Sequence, residues 1–478
     1  MLVKMKDWRK FFKGKKITQM GLGLLGRGVG DAEFLAKYGA DLLVTDLKTE
    51  KELAPSLKKL KSYKLKALSY VLGEHRLKDF RHRPKPLGDG RGPDFILKAA
   101  GVPLDSLYMA EARKQGIPIE MDASLFFKLM PKDVTFIGVT GTRGKTTTAY
   151  LIYEILKTNN KKVFLAGNIK DTATLPFLEK VKAGDFVVAE LDSWQLQGFG
   201  DAKLSPPISV FTTFLPDHMN YYKGDMNLYF KDKANIFKYQ KKGDILIFGD
   251  SVVEAACHLG AQLPSSALIA RAVDLPTDWK LKIIGEHNRY NAACALAAAR
   301  VLKIPGRISR MAMERFGGVP GRLEYLRTVR GVKIYNDNNA TTPDATIAAL
   351  RALNDSPFGK GGGRRPGDFK IPPRKAVLPF SKGDLRKIVL ILGGSDKGLD
   401  MSGLVAEIPK QCKAVVLLKE TGTAKIQNSK IKMQNDNPDL KIYENETLKE
   451  CVKEAMRIAE KGDIVLFSPA FASFGRWF

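Results

Sequence analysis

The sequence predicts an α/β protein of three domains, and three observations carry that prediction. Glycine-rich turns follow apolar strands at two places, GLGLLGRG from Gly21 and GTRGKT from Gly141, and each runs into an amphipathic helix. Short β-branched or aromatic runs such as FVVAEL, ISVFTTF, DILIFGD and AVVLL alternate with helical stretches, the pattern of parallel strands joined by crossover helices. The 478 residues also exceed the roughly 250 to 300 at which a single core stops growing.

Residues 1–120 form the first predicted domain, which is Rossmann-like. ITQMGLGLLGRGVGDAEFLAKYGADLLVTD reads as strand, glycine turn, helix and second strand. Gly21, Gly23 and Gly26 fit the G-x-G-x-x-G spacing, and Asp46 falls about 20 residues on, where such a unit places its ribose-binding acid. Two readings stay open: the turn binds a nucleotide, or its glycines only let the helix pack closely on the strand.

Residues 121–318 form a central domain, P-loop ATPase-like with a mostly parallel sheet. VTFIGVT is a strand and AYLIYEILKTN a helix with Leu151, Ile152, Ile155 and Leu156 on one face. Between them, Gly138 to Thr148 reads GVTGTRGKTTT. Phosphate loops need small residues so that backbone N–H groups converge on anionic oxygens at a helix start, a lysine for the terminal phosphates, and a hydroxyl for Mg²⁺. Gly141, Thr142, Gly144, Lys145, Thr146 and Thr147 supply these in a form shorter than the usual G-x-x-x-x-G-K-[ST]. The strands ending at Glu190 and running into Asp217 and His218 should deliver those side chains to the same edge.

Residues 319–478 form the third domain, Rossmann-like again, with strands in VKIYNDN, KIVLILGGSDKG, AVVLL and DIVLFSPA. The Gly/Pro-rich, cationic stretch near 355–387 reads as a surface insertion.

Composition narrows the function classes. Seventy-eight Lys and Arg against 51 Asp and Glu give +27, with 44% hydrophobic residues and a mean hydropathy of −0.18. No stretch approaches the ~18 apolar residues of a membrane helix, and lysines interrupt any signal-like start, so a cytoplasmic protein without membrane insertion is expected. The charge admits a basic ATP-dependent nucleic-acid binder, but neither paired zinc ligands nor aromatic-rich RNP strands accompany it, and no specific nucleic-acid partner is expected. Cys257, Cys294, Cys412 and Cys451 lie far apart without a CxxC pair, so reduced, buried thiols are expected.

The sequence resembles the Mur ligase family, ATP-dependent enzymes that add amino acids to the peptidoglycan precursor. GVTGTRGKTTT resembles that family's ATP loop, ELDSWQL its E-L-S-S-F-Q-L segment, and DHMNYYKGDMNLYFKDKANIF its D-H-M-D…Y-x-x-x-K stretch. GEHNRYNAACALAAA, VPGRLEY, YNDNNATTPDAT, LGGSDKG and LFSPAFASF continue the match in order. Among its members, those that add D-glutamate are most similar.

The resemblance implies ligation of D-glutamate to UDP-N-acetylmuramoyl-L-alanine through an acyl phosphate, in cell-wall synthesis and by a monomer. It places Lys145 and Thr146 on the ATP phosphates and one Mg²⁺, and Glu190 and His218 on a second Mg²⁺. It also implies that Lys233 is carbamylated to support that metal; read from sequence alone, Lys233 is a helix-surface lysine. Asn288 and Asn291, three apart on one helix, would grip the adenine, with Arg322 on the phosphates and Asp337 on the ribose. Asp46 would read uracil rather than NAD, Gly101 would lie near the diphosphate and Asn168 near the muramoyl part. Thr341, Lys397, Ser473 and Phe474 would hold D-glutamate. Another Mur ligase adding a different amino acid, or a folylpolyglutamate synthetase-like enzyme, is the alternative from the same fold.

The chain departs from the family at Asn339, where lysine is usual, at Asp192 in place of serine, and at Ala99 and Ala100 in place of Ser-Pro. Arg143 occupies the ATP loop's variable slot, and the family pattern leads one to expect a further stretch after SFGRWF.

Overall fold

A computed structural model describes residues 7–24, 26–63, 67–82, 92–103, 105–170, 172–261, 263–264, 266–354, 388–396 and 398–471. The basic insertion near 355–387, with Lys397, Ser473 and Phe474, lies outside the described residues. Among the described residues are three α/β sheets. The chain forms two compact units, residues 1–274 with 290–313, and residues 275–289 with 314–478.

The first unit holds two all-parallel sheets. One contains β1 (Lys16–Met20), β2 (Asp41–Asp46), β3 (Leu68–Leu72), β4 (Phe95–Lys98) and β5 (Ile119–Glu120), in the order β3-β2-β1-β4-β5. The chain therefore moves outward on one side of β1, then returns to its other side. That reversal opens a crevice beside the carboxyl end of β1, where the Gly21 turn sits. Gly26 caps the Arg27–Lys37 helix in a left-handed conformation, φ 80°, which glycine adopts without a Cβ penalty.

The other sheet contains β6 (Thr135–Thr140), β7 (Val163–Gly167), β8 (Phe186–Glu190), β9 (Ile208–Phe211), β10 (Ile245–Gly249) and β11 (Leu268–Ala270), in the order β11-β10-β9-β6-β8-β7. β6 lies between β8 and β9, so the loop after it emerges at the switch point. Its inner strands β6, β8, β9 and β10 are largely buried, which is why they read as nearly continuous apolar runs rather than alternating ones. Leu151, Ile152, Ile155 and Leu156 are all buried on the Lys145–Thr158 helix, as their spacing predicts.

The second unit holds a six-stranded sheet of β12 (Glu324–Val329), β13 (Val332–Asn336), β14 (Ile388–Leu392), β15 (Cys412–Leu418), β16 (Lys441–Asn445) and β17 (Ile464–Phe467), ordered β12-β13-β17-β14-β15-β16. β12 and β13 pair antiparallel and the other pairs are parallel. Arg330 and Gly331 turn this hairpin with φ 53° and 79°, the positive pair that a two-residue turn needs to match strand twist.

Three of the cysteines are buried as expected; Cys257 is exposed, a correction, because it lies on the outer side of the Asp250–His258 helix. Among the described residues no helix is long and apolar enough to cross a membrane.

Candidate active site

The phosphate loop is shaped by two glycines in backbone regions that other residues rarely adopt, Gly141 at φ 148° and Gly144 at φ 82°. Gly144 begins the Lys145–Thr158 helix without a side-chain cap, so the helix presents its first-turn N–H groups and the positive end of its dipole to an anion. The residues after β9 brace the loop from below. Thr213 Oγ1 accepts from Arg143 N at 2.8 Å, and Thr142 Oγ1 accepts from Leu215 N and donates to Leu215 O, both at 3.0 Å. Arg143 is tied to Asp217 by a 2.9 Å ion pair. This bracing by Thr213 and Asp217 was not read from the sequence; the TTF run ending the β9 segment was its only trace.

Lys145 folds back onto its own loop, donating to Gly141 O at 3.0 Å and Thr142 O at 3.1 Å. Lys233 comes to the same carbonyl from the other side, donating to Gly141 O at 2.8 Å. It sits on the Met226–Ala234 helix one turn after Tyr229, whose ring centroid is 4.9 Å from Nζ. The surface-lysine reading is thereby corrected, since Lys233 is only 1% exposed. Desolvation, reinforced by the nearby Lys145 charge, holds its amine well below the usual lysine range.

Glu190 ends β8 at the same edge and is 2% exposed. Its Oε2 is buried with no hydrogen-bond partner among the described residues. A buried, unsatisfied carboxylate oxygen is costly unless a cation meets it, and a hard oxygen donor suits Mg²⁺. His218 follows Asp217 in a left-handed conformation, φ 55°, against Trp194 at 4.6 Å between ring centroids. Among the described residues no group of three or more His, Cys, Asp and Glu is assembled for a metal. Of the metal ligands expected from the sequence, Glu190 has surroundings, a buried oxygen without a partner among the described residues, that point to a cation. Asp192, the residue in place of serine, caps the Ser193–Asp201 helix by accepting from Gln195 N at 2.8 Å, worth about 1 kcal/mol.

At the first sheet, Asp46 ends β2 and its carboxylate turns toward the glycine turn. Oδ2 accepts from Leu22 N at 2.8 Å and Gly23 N at 3.1 Å, and Oδ1 from Lys48 N at 2.9 Å. Asp46 thus holds the turn. Gly101 follows β4 with φ 82°. Asn168 follows β7 and donates its N–H to Glu190 O at 2.7 Å.

The adenine candidates are both buried. Asn291, in the first unit, lies so close to Gly144 that a Cβ there would collide with its Oδ1. Asn288, in the second unit, donates Nδ2 to Ile284 O at 2.8 Å. Also in the second unit, Asp337 accepts from Leu323 N at 2.9 Å and Ser468 Oγ at 3.1 Å. Burial pushes its carboxyl up to about 6. Arg322 N donates to Val319 O at 3.0 Å, and Asn339 N to Gly321 O and Thr341 N to Asn339 O at 3.1 Å each. Asn339 Nδ2 reaches Pro320 O at 3.3 Å, a local tie in place of a lysine's longer reach.

Residues 139–267 match the Mur ligase middle domain and residues 375–471 the Mur ligase glutamate ligase domain. The chain is 35% identical over 492 aligned residues to a UDP-N-acetylmuramoylalanine–D-glutamate ligase of Roseiflexus sp. (strain RS-1), covering 97% of this chain and 95% of the relative. It is 30% identical to the enzyme of that name from Acetivibrio thermocellus, covering 99% and 95%. It is 31% identical to that from Borreliella burgdorferi, covering 95% and 92%. Its fold is that of the UDP-N-acetylmuramate-alanine ligase MurC from Thermotoga maritima, with TM-score 0.59, 19% identity and 96% coverage of both chains. It also matches MurF ligase of the same organism, solved in complex with ADP, with TM-score 0.55, 17% identity and coverage of 89% and 90%. Likeness over nearly the whole length, on a parallel sheet whose switch point carries a phosphate loop, a buried carboxylate and a buried lysine, means that the chain belongs to the Mur ligase family.

Proposed function

We propose that the protein joins D-glutamate to UDP-N-acetylmuramoyl-L-alanine with hydrolysis of ATP. The observation that carries the reading is the approach of Lys145 and buried Lys233 to one loop carbonyl, Gly141 O, at the sheet edge where β8 ends in Glu190, whose buried Oε2 has no partner among the described residues. Amide formation from a carboxylate requires activation, and the γ-phosphoryl group supplies it. The substrate's terminal carboxylate oxygen forms a bond to phosphorus as ADP leaves. The D-glutamate amine then adds to the acyl carbon, loses a proton, and expels inorganic phosphate.

The protein's part is positioning and charge. Gly141 to Thr147 cradle the phosphates, with Lys145 swinging from its loop carbonyls to the phosphoryl oxygens. Glu190, His218, Thr146 and a carbamylated Lys233 would hold Mg²⁺, which when bound neutralises the charge on those oxygens. Asn288 and Asn291 are assigned to adenine, Arg322 to phosphate and Asp337 to ribose. Asp46, Gly101 and Asn168 take the uracil, diphosphate and muramoyl parts, while Thr341, Lys397, Ser473 and Phe474 hold D-glutamate. The residue blocks 1–120, 121–318 and 319–478 then divide the work into UDP-sugar, ATP and amino-acid domains. Phosphate release measured with UDP-N-acetylmuramoyl-L-alanine and each candidate amino acid tests the reading. D-glutamate alone should support turnover, and preferential use of L-lysine or a diaminopimelate would identify a different Mur ligase.

Asp46→Ala should weaken UDP-sugar binding about 10- to 100-fold, the loss of one hydrogen bond to a charged group plus a loosened glycine turn, and leave ATP affinity unchanged. Calorimetric titration with UDP and with NAD checks it. Retained UDP affinity together with lost NAD affinity would restore the dehydrogenase reading of this domain.

Lys397→Ala should raise KM for D-glutamate by at least about tenfold, because an unreacting carboxylate loses its only assigned cation, while KM for ATP and the UDP-sugar stays within about twofold. Steady-state kinetics with each substrate varied in turn decides it, and equal effects on all three would remove Lys397 from the glutamate pocket.

A further inference from the structure

The loop after β4 is fastened at both ends by side chains that no part of the proposed site uses, a buried lysine and a half-buried tyrosine. Lys98, the last residue of β4, is 6% exposed. It reaches across to the ATP-binding sheet's helices, its Nζ donating to Gln197 Oε1 at 2.6 Å. Gln197 Nε2 donates to Asp232 Oδ2 at 2.8 Å and to Tyr221 OH at 3.1 Å. Tyr222 OH donates to the same Asp232 oxygen at 3.0 Å. Tyr221 OH donates to Val102 O at 2.9 Å, which returns the chain of bonds to the loop where it began. The circuit leaves at Lys98, re-enters at Val102 and encloses Gly101. Its far end, Asp232, immediately precedes Lys233 on one helix.

The order of donors is fixed by chemistry. A lysine only donates and a carboxylate only accepts, so the Gln197 amide has one orientation that satisfies both, and every polar atom of that amide is used. A charged group at either end strengthens each link. The arrangement is costly: burial without a carboxylate in direct contact draws the Lys98 amine down to about 8. The loop is also the wall of the glycine turn, since a Cβ on Gly21 would lie 2.7 Å from Ala99 Cβ. A shift in Lys98 to Val102 is therefore felt where the UDP-sugar is anchored.

We propose that Lys98, Gln197 and Asp232 are positioning residues for ligation, a polar latch that fixes the Gly101 loop against the helix carrying Lys233. It sets the distance between the anchored diphosphate and the carboxylate that is activated. The inference rests on the ligase reading. Its expected effects follow from geometry, because a misplacement of about 1 Å between reacting groups can cost about a hundredfold in rate.

Lys98→Met keeps the stem and removes the donor. It should lower kcat and raise KM for the UDP-sugar, together at least about tenfold in kcat/KM, with KM for ATP within about twofold. Amide hydrogen exchange at residues 99–102 should quicken, measured without any substrate. Gln197→Glu places a second carboxylate beside Asp232 and should impair the enzyme similarly. Combining it with Asp232→Asn restores a donor facing an acceptor between residues 197 and 232, though not toward Tyr221, and should raise kcat/KM at least about threefold over Gln197→Glu alone. Wild-type kinetics in Lys98→Met, or a double variant no better than Gln197→Glu alone, overturns the latch. If the wild-type protein ligates no amino acid to the UDP-sugar, the activity reading falls instead. The exchange measurement then decides the latch, and unchanged exchange at 99–102 in Lys98→Met overturns it.

Discussion

Lys145→Ala is expected to abolish ligation, lowering the rate by at least about a thousandfold, while the protein stays folded and melts within a few degrees of wild type. The two halves of this result have separate causes. Lys145 is the first residue of its helix, and its Nζ donates to the loop carbonyls of Gly141 and Thr142. Alanine is a good helix former, and Leu151, Ile152, Ile155 and Leu156 anchor that helix in the core without help from Lys145. Removing the cation also relieves its repulsion of Lys233. The loss falls on the reaction, because phosphoryl transfer leaves the protein little to do beyond placing positive charge against three oxygens. Phosphate release and a thermal melt on the same preparation check both halves. A folded variant with ordinary ATP-dependent turnover would remove the loop from the chemistry.

The architecture was legible because both glycine turns follow parallel strands. Buried on two faces, β8 and β9 read as nearly unbroken apolar runs, and the glycine turns after β1 and β6 marked where each helix starts. β12 escaped because its EYLRTV segment is largely exposed and shows no continuous apolar run. The phosphate loop was legible where spacing carries chemistry, as in Gly141 to Thr146. The site was illegible where chemistry depends on residues brought together from afar. Lys98, Gln197 and Asp232 share no spacing, and Arg143 meets Asp217 across 74 positions. Asp46 shows a further limit: the sequence gives its position at the end of β2, but not that its carboxylate already accepts three backbone N–H groups. Burial is the other hidden variable, for nothing in KDKANIF distinguishes the enclosed Lys233 from exposed Lys231.

That burial makes Lys233→Ala the second large effect, a loss of at least about a hundredfold in kcat, partly restored by adding short carboxylic acids such as acetate or formate. A fully enclosed ammonium beside Lys145 and Arg143 would be poorly placed, and the structure answers by holding the amine well below its usual range. A neutral amine is what attacks CO₂: nitrogen bonds to carbon, a proton leaves, and a carbamate replaces a latent cation with an anion. That anion would face Lys145 and join Glu190, whose buried Oε2 has no partner among the described residues, so two oxygen donors would share one cation. Alanine at 233 removes the carbamate but leaves its space, into which a small carboxylate fits with the same charge and the same two oxygens. Longer acids should rescue less well than acetate, since Gly141 and Tyr229 bound the cavity closely. Loss of activity without rescue by any acid would make Lys233 a structural support of the loop. A mass of the intact protein with no added CO₂, under conditions that preserve carbamates, would argue the same way.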